Sequence, residues 1–154
     1  MLILKDAALA FGQAPLFSPL NLEIASGEIC VLSAPSGAGK STLLRWIAGI
    51  STEGLEAKGH IWLGGRQIDK LPAERRRVGL MFQQALLFPH LSVGDNLGFG
   101  LPASVRGEAR KSRIEEALHI AGLGGMGTRD PETLSGGQQA RIALLRTLLA
   151  EPEA

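Results

Sequence analysis

The chain predicts an α/β protein in which a sheet-and-helix core is interrupted by a helical insertion. Three observations carry that prediction. Short apolar runs of strand character fill the first half. A glycine-rich loop sits between one such run and a helix. The middle then changes to apolar residues spaced for one helix face, and a last helix closes the chain.

Bulk properties bound the rest. A length of 154 residues suffices for one modest domain with a real core. Hydrophobic residues at 45% and charged residues at 20% are ordinary for a soluble globular protein. A net charge of +1 argues neither for nor against nucleic acid. The single Cys30 lies in Ile29-Cys30-Val31-Leu32, reads as a buried inert thiol, and allows no disulfide within one chain. Lys5 and Asp6 interrupt the only apolar start, so no signal peptide is expected. No run approaches the roughly 18 apolar residues of a membrane span. The expectation is a cytoplasmic, soluble chain that meets a membrane only through a partner.

Taken in order, Leu2 to Leu9 fits a strand, and Leu20 to Ile24 alternates as a half-buried strand does. Ser26-Gly27 is a turn. Ile29 to Leu32 is continuously apolar, as expected of a strand buried on both faces. Ser41 to Ala48 reads as a helix stopped by Gly49. Further strands are expected at His60 to Leu63 and Val78 to Phe82. Ser92 caps a short helix through Asn96 and Leu97. From Glu108 to Ala121, apolar Ile114, Ala117, Leu118 and Ala121 line one helix face, and Gly122 ends it. Gly122 to Gly127 reads as a flexible connector. Gly136 to Ala150 is a helix with Ile142, Leu145 and Leu149 on one side, stopped by Pro152. The core and sheet occupy about 1–84 and 135–154, the helical insertion about 85–134.

The loop Ala34-Pro35-Ser36-Gly37-Ala38-Gly39-Lys40-Ser41-Thr42 has the composition of a phosphate cradle. Small residues let successive backbone N–H groups point at an anion, and the following helix adds its positive end. Lys40 can place an ammonium on the β- and γ-phosphates, and Ser41 can offer its hydroxyl to Mg²⁺. The usual first glycine is Ala34 here. Before Pro35 it is biased to extended geometry, which alanine tolerates.

Leu134-Ser135-Gly136-Gly137-Gln138 opens the last helix, with Ser135 as N-cap and two glycines that permit close approach to an anion. With both motifs present, the chain resembles the nucleotide-binding subunit of an ATP-binding-cassette (ABC) transporter over essentially its whole length, of the bacterial importer type (thiamine-, iron- or sulfate-like). The resemblance implies a P-loop NTPase core with an antiparallel β subdomain and a helical subdomain. It implies ATP and Mg²⁺ as cofactors, with Ser36, Gly37, Ala38, Gly39, Lys40, Ser41 and Thr42 around the phosphates and Phe11 stacked on adenine. It implies that Gln83 contacts Mg²⁺ and the attacking water. Ser135, Gly136, Gly137 and Gln138 belong to the signature; the first three would bind the γ-phosphate held by a partner's loop in a head-to-tail dimer. The segment Leu87 to Val93 matches the region that meets the membrane subunit. Permease subunits and a solute-binding protein are the further partners implied, nucleic acid is not, and the place implied is the inner face of the cell membrane.

In the family, an Asp at the end of an apolar strand and the Glu after it follow the signature helix. Here Glu151-Pro152-Glu153-Ala154 follows it, and both glutamates read as loop residues. The expectation is a C-terminally truncated cassette whose autonomous hydrolysis is doubtful, and whose sheet has an open edge beside Ile29 to Leu32, so that the isolated chain is poorly stable, aggregation-prone, or part of a longer or split protein. His60, His90 and His119 precede the signature and cannot be the family's switch histidine. Arg75-Arg76-Arg77 reads as a solvated basic face, and Trp46 and Trp62 as packing residues. Beside the transport ATPase stand two alternatives: a nucleotide-binding module without hydrolysis, and a soluble ABC-type protein of DNA repair or translation, which the Leu86 to Val93 segment and the compact insertion disfavour.

Overall fold

A computed structural model describes all residues from Met1 to Ala154. They form two compact units, Met1–Leu80 with Glu153–Ala154, and Met81–Pro152. The signature helix thus falls in the second unit, with the helical residues, whereas the sequence grouping placed 135–154 with the sheet.

The first unit is built on an antiparallel sheet. Its strands are β1 (Leu2–Phe11), β2 (Ala14–Pro15), β3 (Leu20–Ile24), β4 (Leu55–Leu63) and β5 (Arg66–Gln67). The order is β2-β1-β4-β5, and β3 pairs with the first half of β1, Leu2 opposite Ile24 and Ala7 opposite Leu20. Gly12-Gln13 closes the first hairpin, and Gly64-Gly65, at φ 58° and 80°, closes the β4–β5 hairpin as a two-residue turn of this kind requires. Leu4, Ala7 and Leu9 of β1 and Ile61 and Leu63 of β4 point to one face, where Leu43 and Ile47 of helix α1 (Lys40–Ala48) and Ile68 complete the core. The helix that follows the phosphate loop is therefore seated on this sheet by its own apolar stripe. Gly49, at φ 80°, ends it as expected. The short helix α2 (Ala73–Arg76) follows β5.

The expected strands at Leu2–Leu9, Leu20–Ile24 and His60–Leu63 are all present, and two others are not. Ile29 to Leu32 pairs with no strand, and Ile29 and Val31 are 89% and 84% exposed. An apolar run becomes a strand only where a neighbour takes its N–H and C=O groups, and none does so here. Cys30 is exposed for the same reason, not buried. Val78 to Phe82 is likewise not a strand. Its beginning runs beside Glu153 and Ala154 through two bonds, Glu153 N–H to the Arg77 carbonyl at 2.8 Å and Gly79 N–H to the Ala154 carbonyl at 2.7 Å. The arginine cluster is not a uniformly solvated face, because Arg76 is buried and fully engaged. Trp46 packs against the core as expected, whereas Trp62 lies on the outer face of β4 at 36% exposure.

In the second unit, helices α3 (Val93–Gly100), α4 (Gly107–Ile120) and α5 (Gly136–Leu149) surround Val93, Leu97, Leu118, Leu123, Leu134 and Ile142. Ser92 caps α3 by accepting from the Asp95 N–H at 3.1 Å. Ile114, Ala117, Leu118 and Ala121 face inward along α4 as the spacing required. A Cβ at Gly100 would collide with the Arg146 carbonyl, so glycine is what lets α3 and α5 cross this closely. The expected flexible connector is instead anchored. Leu123 is buried, and Gly94 N–H donates to the Gly127 carbonyl at 2.7 Å. No helix is long and apolar enough to cross a membrane.

Candidate functional site

The phosphate loop closes on itself. Ala38 N–H donates to the Pro35 carbonyl at 3.3 Å, and Gly37 and Gly39 take φ of 82° and 86°. Gly39 is fixed twice over, because a Cβ there would also lie 3.1 Å from the Leu16 side chain. Lys40 begins α1, and the first helical bond runs from Leu43 N–H to the Gly39 carbonyl at 2.8 Å. No side chain caps this helix and no acidic residue stands in its first turn. Its leading amides therefore face outward with the positive end of the helix, the arrangement that holds phosphate. The Lys40 ammonium donates to the carbonyls of Ala34 and Pro35 at 2.6 and 2.7 Å. It is thus held over the loop by backbone oxygens rather than by a carboxylate. Ser36 and Gly37 are exposed, Ala38 and Thr42 half-buried, and Ser41 exposed at the start of the helix.

Beside the loop lies a hollow of about 420 Å³, walled by Leu16, Phe17 and Leu20 on one side and by Ala38, Gly39 and Lys40 on the other. Leu16 and Phe17 had no motif to announce them; the only sequence signal was two apolar residues between Pro15 and Pro19. Phe11, at the end of β1, is 40% exposed and does not line this hollow.

In the second unit, Ser135 caps α5 in a reciprocal box. Its Oγ accepts from Gln138 N–H at 3.3 Å, and Gln138 Oε1 accepts from Ser135 N–H at 2.9 Å. A hollow of about 570 Å³ is shared by Gln83, Leu86, Pro131, Gly136 and Gln139. Two motifs that lie far apart in sequence, the glutamine and the signature glycine, thus meet at one place. Gln139 was missed in the sequence; its amide donates to the Pro131 carbonyl at 2.9 Å and fixes that wall.

The segment after Gln83 is shaped by Asn96, which is fully buried. Its Oδ1 accepts from Phe88 N–H at 2.8 Å, and its Nδ2 donates to the carbonyls of Phe88, Leu91 and Ser92 at 3.0 to 3.1 Å. Phe88 packs on Phe99 with ring centroids 4.8 Å apart, and His90 lies 5.9 Å away. Leu86 and Phe99 are exposed at this patch. An asparagine between Val93 and Leu97 in a short helix was the available signal for this anchor.

The histidines form no site: His60 is exposed beside Gln67 and Asp69, and His119 is exposed. No group of three or more His, Cys, Asp or Glu residues could hold a metal ion. Glu151 and Glu153 pair with Arg113 at 2.8 Å and Arg77 at 3.0 Å, as loop residues do. The hydroxyl of Ser41, in the first unit, is a neutral oxygen donor, suited to Mg²⁺ when phosphate oxygens supply the charge. The uncapped helix and its outward amides fit a polyphosphate.

The model of the ABC transporter family matches residues 17–154. The chain is 46% identical to the ABC transporter ATP-binding protein YnjD of Escherichia coli K12, over 100% of this chain and 71% of that protein. It is 40% identical to the Fe(3+) ions import ATP-binding protein FbpC of Pasteurella multocida and 45% identical to the sulfate/thiosulfate import ATP-binding protein CysA 1 of Shewanella oneidensis. Those matches cover 99% and 97% of this chain, which spans only 43% and 40% of the two relatives' lengths. Among solved structures, the dimeric ATP-binding cassette MJ0796 in a post-hydrolysis state, bound to ADP and Pi, superposes with a TM-score of 0.82 at 30% identity, covering 99% of this chain and 71% of that one.

Proposed function

The chain belongs to the ABC transporter family, and from that premise we propose that it is an ATP-binding subunit that couples ATP binding and hydrolysis to the import of a small solute. The observation that carries this reading is the uncapped start of α1 beneath a loop whose ammonium is held only by the carbonyls of Ala34 and Pro35.

ATP with Mg²⁺ supplies the polyphosphate charge and the cleavable bond; the residues hold and orient it. Gly37, Ala38, Gly39 and Lys40 present backbone amides, and Ser36 and Thr42 border them. Lys40 would exchange two neutral carbonyls for phosphate oxygens, a gain because a bond between two ionised groups adds their mutual attraction. Ser41 would give its hydroxyl to the metal. Phe11 offers a ring face to the base. Gln83, by the family resemblance, would supply an amide to the metal and to the attacking water. Ser135, Gly136 and Gly137 meet the phosphates of a second copy in a head-to-tail dimer, and Gln138 holds Ser135 in place. The Leu87 to Val93 segment, with exposed Leu86 and Phe99 beside it, is the face offered to permease subunits at the inner side of the membrane; a solute-binding protein completes the system.

Binding of a fluorescent ATP analogue with Mg²⁺ to this chain tests the reading. Saturable binding, competed by ATP and lost in Lys40→Ala, is expected. Binding equal in the wild-type chain and Lys40→Ala overturns it.

A further inference from the structure

Arg146 lies in the last turn of α5, a lone cation in the apolar run Ala143-Leu144-Leu145-Arg146-Thr147-Leu148-Leu149. Its guanidinium faces no carboxylate. Nη2 donates to the Leu86 carbonyl at 3.0 Å and reaches the Ala85 carbonyl at 3.4 Å. Nη1 lies 3.5 Å from the Asn96 side-chain oxygen. The same group stands 5.2 Å from the centroid of the Phe88 ring, within the range of a cation–π contact. Burial pushes its pKa down from the usual arginine value. A surface arginine would not forgo water for such partners unless they were held for it.

The segment it grips does not hold itself. Leu86 takes a φ of 43°, a left-handed conformation that a branched side chain adopts only under constraint from its surroundings. The residues 77–91 form no regular element apart from turns and bends. Asn96 fixes the far end at Phe88, Leu91 and Ser92. Arg146 fixes the near end, directly after Gln83 and Gln84. The planar guanidinium sets one nitrogen against the loop carbonyls and the other beside Asn96 while lying near the Phe88 ring; a lysine ammonium, a single point of charge, does not reproduce that spread.

We infer that Arg146 is a positioning residue that binds the segment following Gln83, with its aromatic patch at Phe88, to the signature helix, so that the two move as one body. The functional weight of this tie rests on the ATPase reading above, but the tie itself does not depend on nucleotide.

Hydrogen exchange of the full chain tests it. In Arg146→Lys, which keeps the charge, amides of residues 84–91 should exchange about tenfold faster, the loss of one charge-assisted bond. Protection in α4 should stay unchanged. Phe88→Leu, which removes the ring but leaves the Leu86 and Ala85 carbonyls to Arg146, should raise exchange in the same segment by a smaller factor. Unchanged exchange at 84–91 in Arg146→Lys overturns the inference. Equal loosening of α3, α4 and α5 also overturns it, because that marks simple packing. ATP-analogue binding is read in the same samples: its absence in the wild-type chain defeats the ATPase reading and leaves the exchange result to judge Arg146.

Discussion

The guanidinium of Arg76 donates to the carbonyl of Trp46 at 2.7 Å and to that of Ile47 at 3.1 Å, and so closes the C-terminal end of the helix that begins at the phosphate loop. Its other nitrogens donate to Leu71 and Asp69 carbonyls, both at 2.7 Å. The last carbonyls of a helix lack internal partners, and a cation there also meets the negative end of the helix. Arg76→Met should therefore lower stability by about 3 kcal/mol, since buried carbonyls are left unpaired. Urea denaturation measures this. Arg76→Lys should recover less than half, because one ammonium cannot serve all four acceptors.

Gly49 lies under the same guanidinium. A Cβ there would stand 2.6 Å from Arg76 Nε and 3.0 Å from the Ala73 Cα, at a φ of 80°. Gly49→Ala should cost about 2 kcal/mol, through left-handed strain and displacement of the arginine. A thermal midpoint equal to wild type would refute it.

Asp69 gives the fold an acid dependence. Burial works against its charged form, but the Ile61 N–H at 3.1 Å, the Gln67 amide and nearby His60 outweigh that and hold its pKa below the ordinary 3.8. A depressed folded pKa stabilises the native state fully above the ordinary value, and the contribution fades as pH falls through the folded one. Asp69→Asn should flatten the loss of stability below pH about 4 while leaving the shape of the profile above pH 6 unchanged. Denaturation midpoints across that range decide it.

Lys40→Ala should weaken ATP binding by about 30- to 100-fold, the worth of one strong charge-assisted contact. The fold should survive, since the ammonium's present partners are two exposed-loop carbonyls. Titration of the analogue and a far-ultraviolet spectrum together check both halves.

Ser135→Ala should cost about 1 kcal/mol through loss of the cap. The effect should appear as faster exchange in the first turn of α5 and not in α4. Ser135→Thr should restore most of it.

Much of this was legible in sequence because local rules sufficed. Ser92 and Ser135 cap their helices, Gly49 ends α1, and the Ile114, Leu118 face turns inward, each from residues within a turn of one another. The two motifs were legible for the same reason. Non-local facts were not. Ile29 to Leu32 reads as a buried strand, yet apolarity cannot say whether another strand pairs with it, and here none does. Arg76 reads as one of three surface cations, and only the fold brings Trp46, thirty positions earlier, to its fork. Asn96 and Arg146 are two polar residues of helices, with no motif to mark them. Their partners, the carbonyls of a loop, have no signature in the side-chain code.

The cap at Ser135 leaves something in reserve. Its oxygen accepts from Gln138, but its own hydrogen is given to no protein group. A hydroxyl has one proton and two lone pairs, so this serine can donate a hydrogen bond to an approaching anionic oxygen while still holding the helix end shut. Anchoring and recognition draw on opposite faces of the same atom, and engaging a ligand need not unravel the turn that presents it.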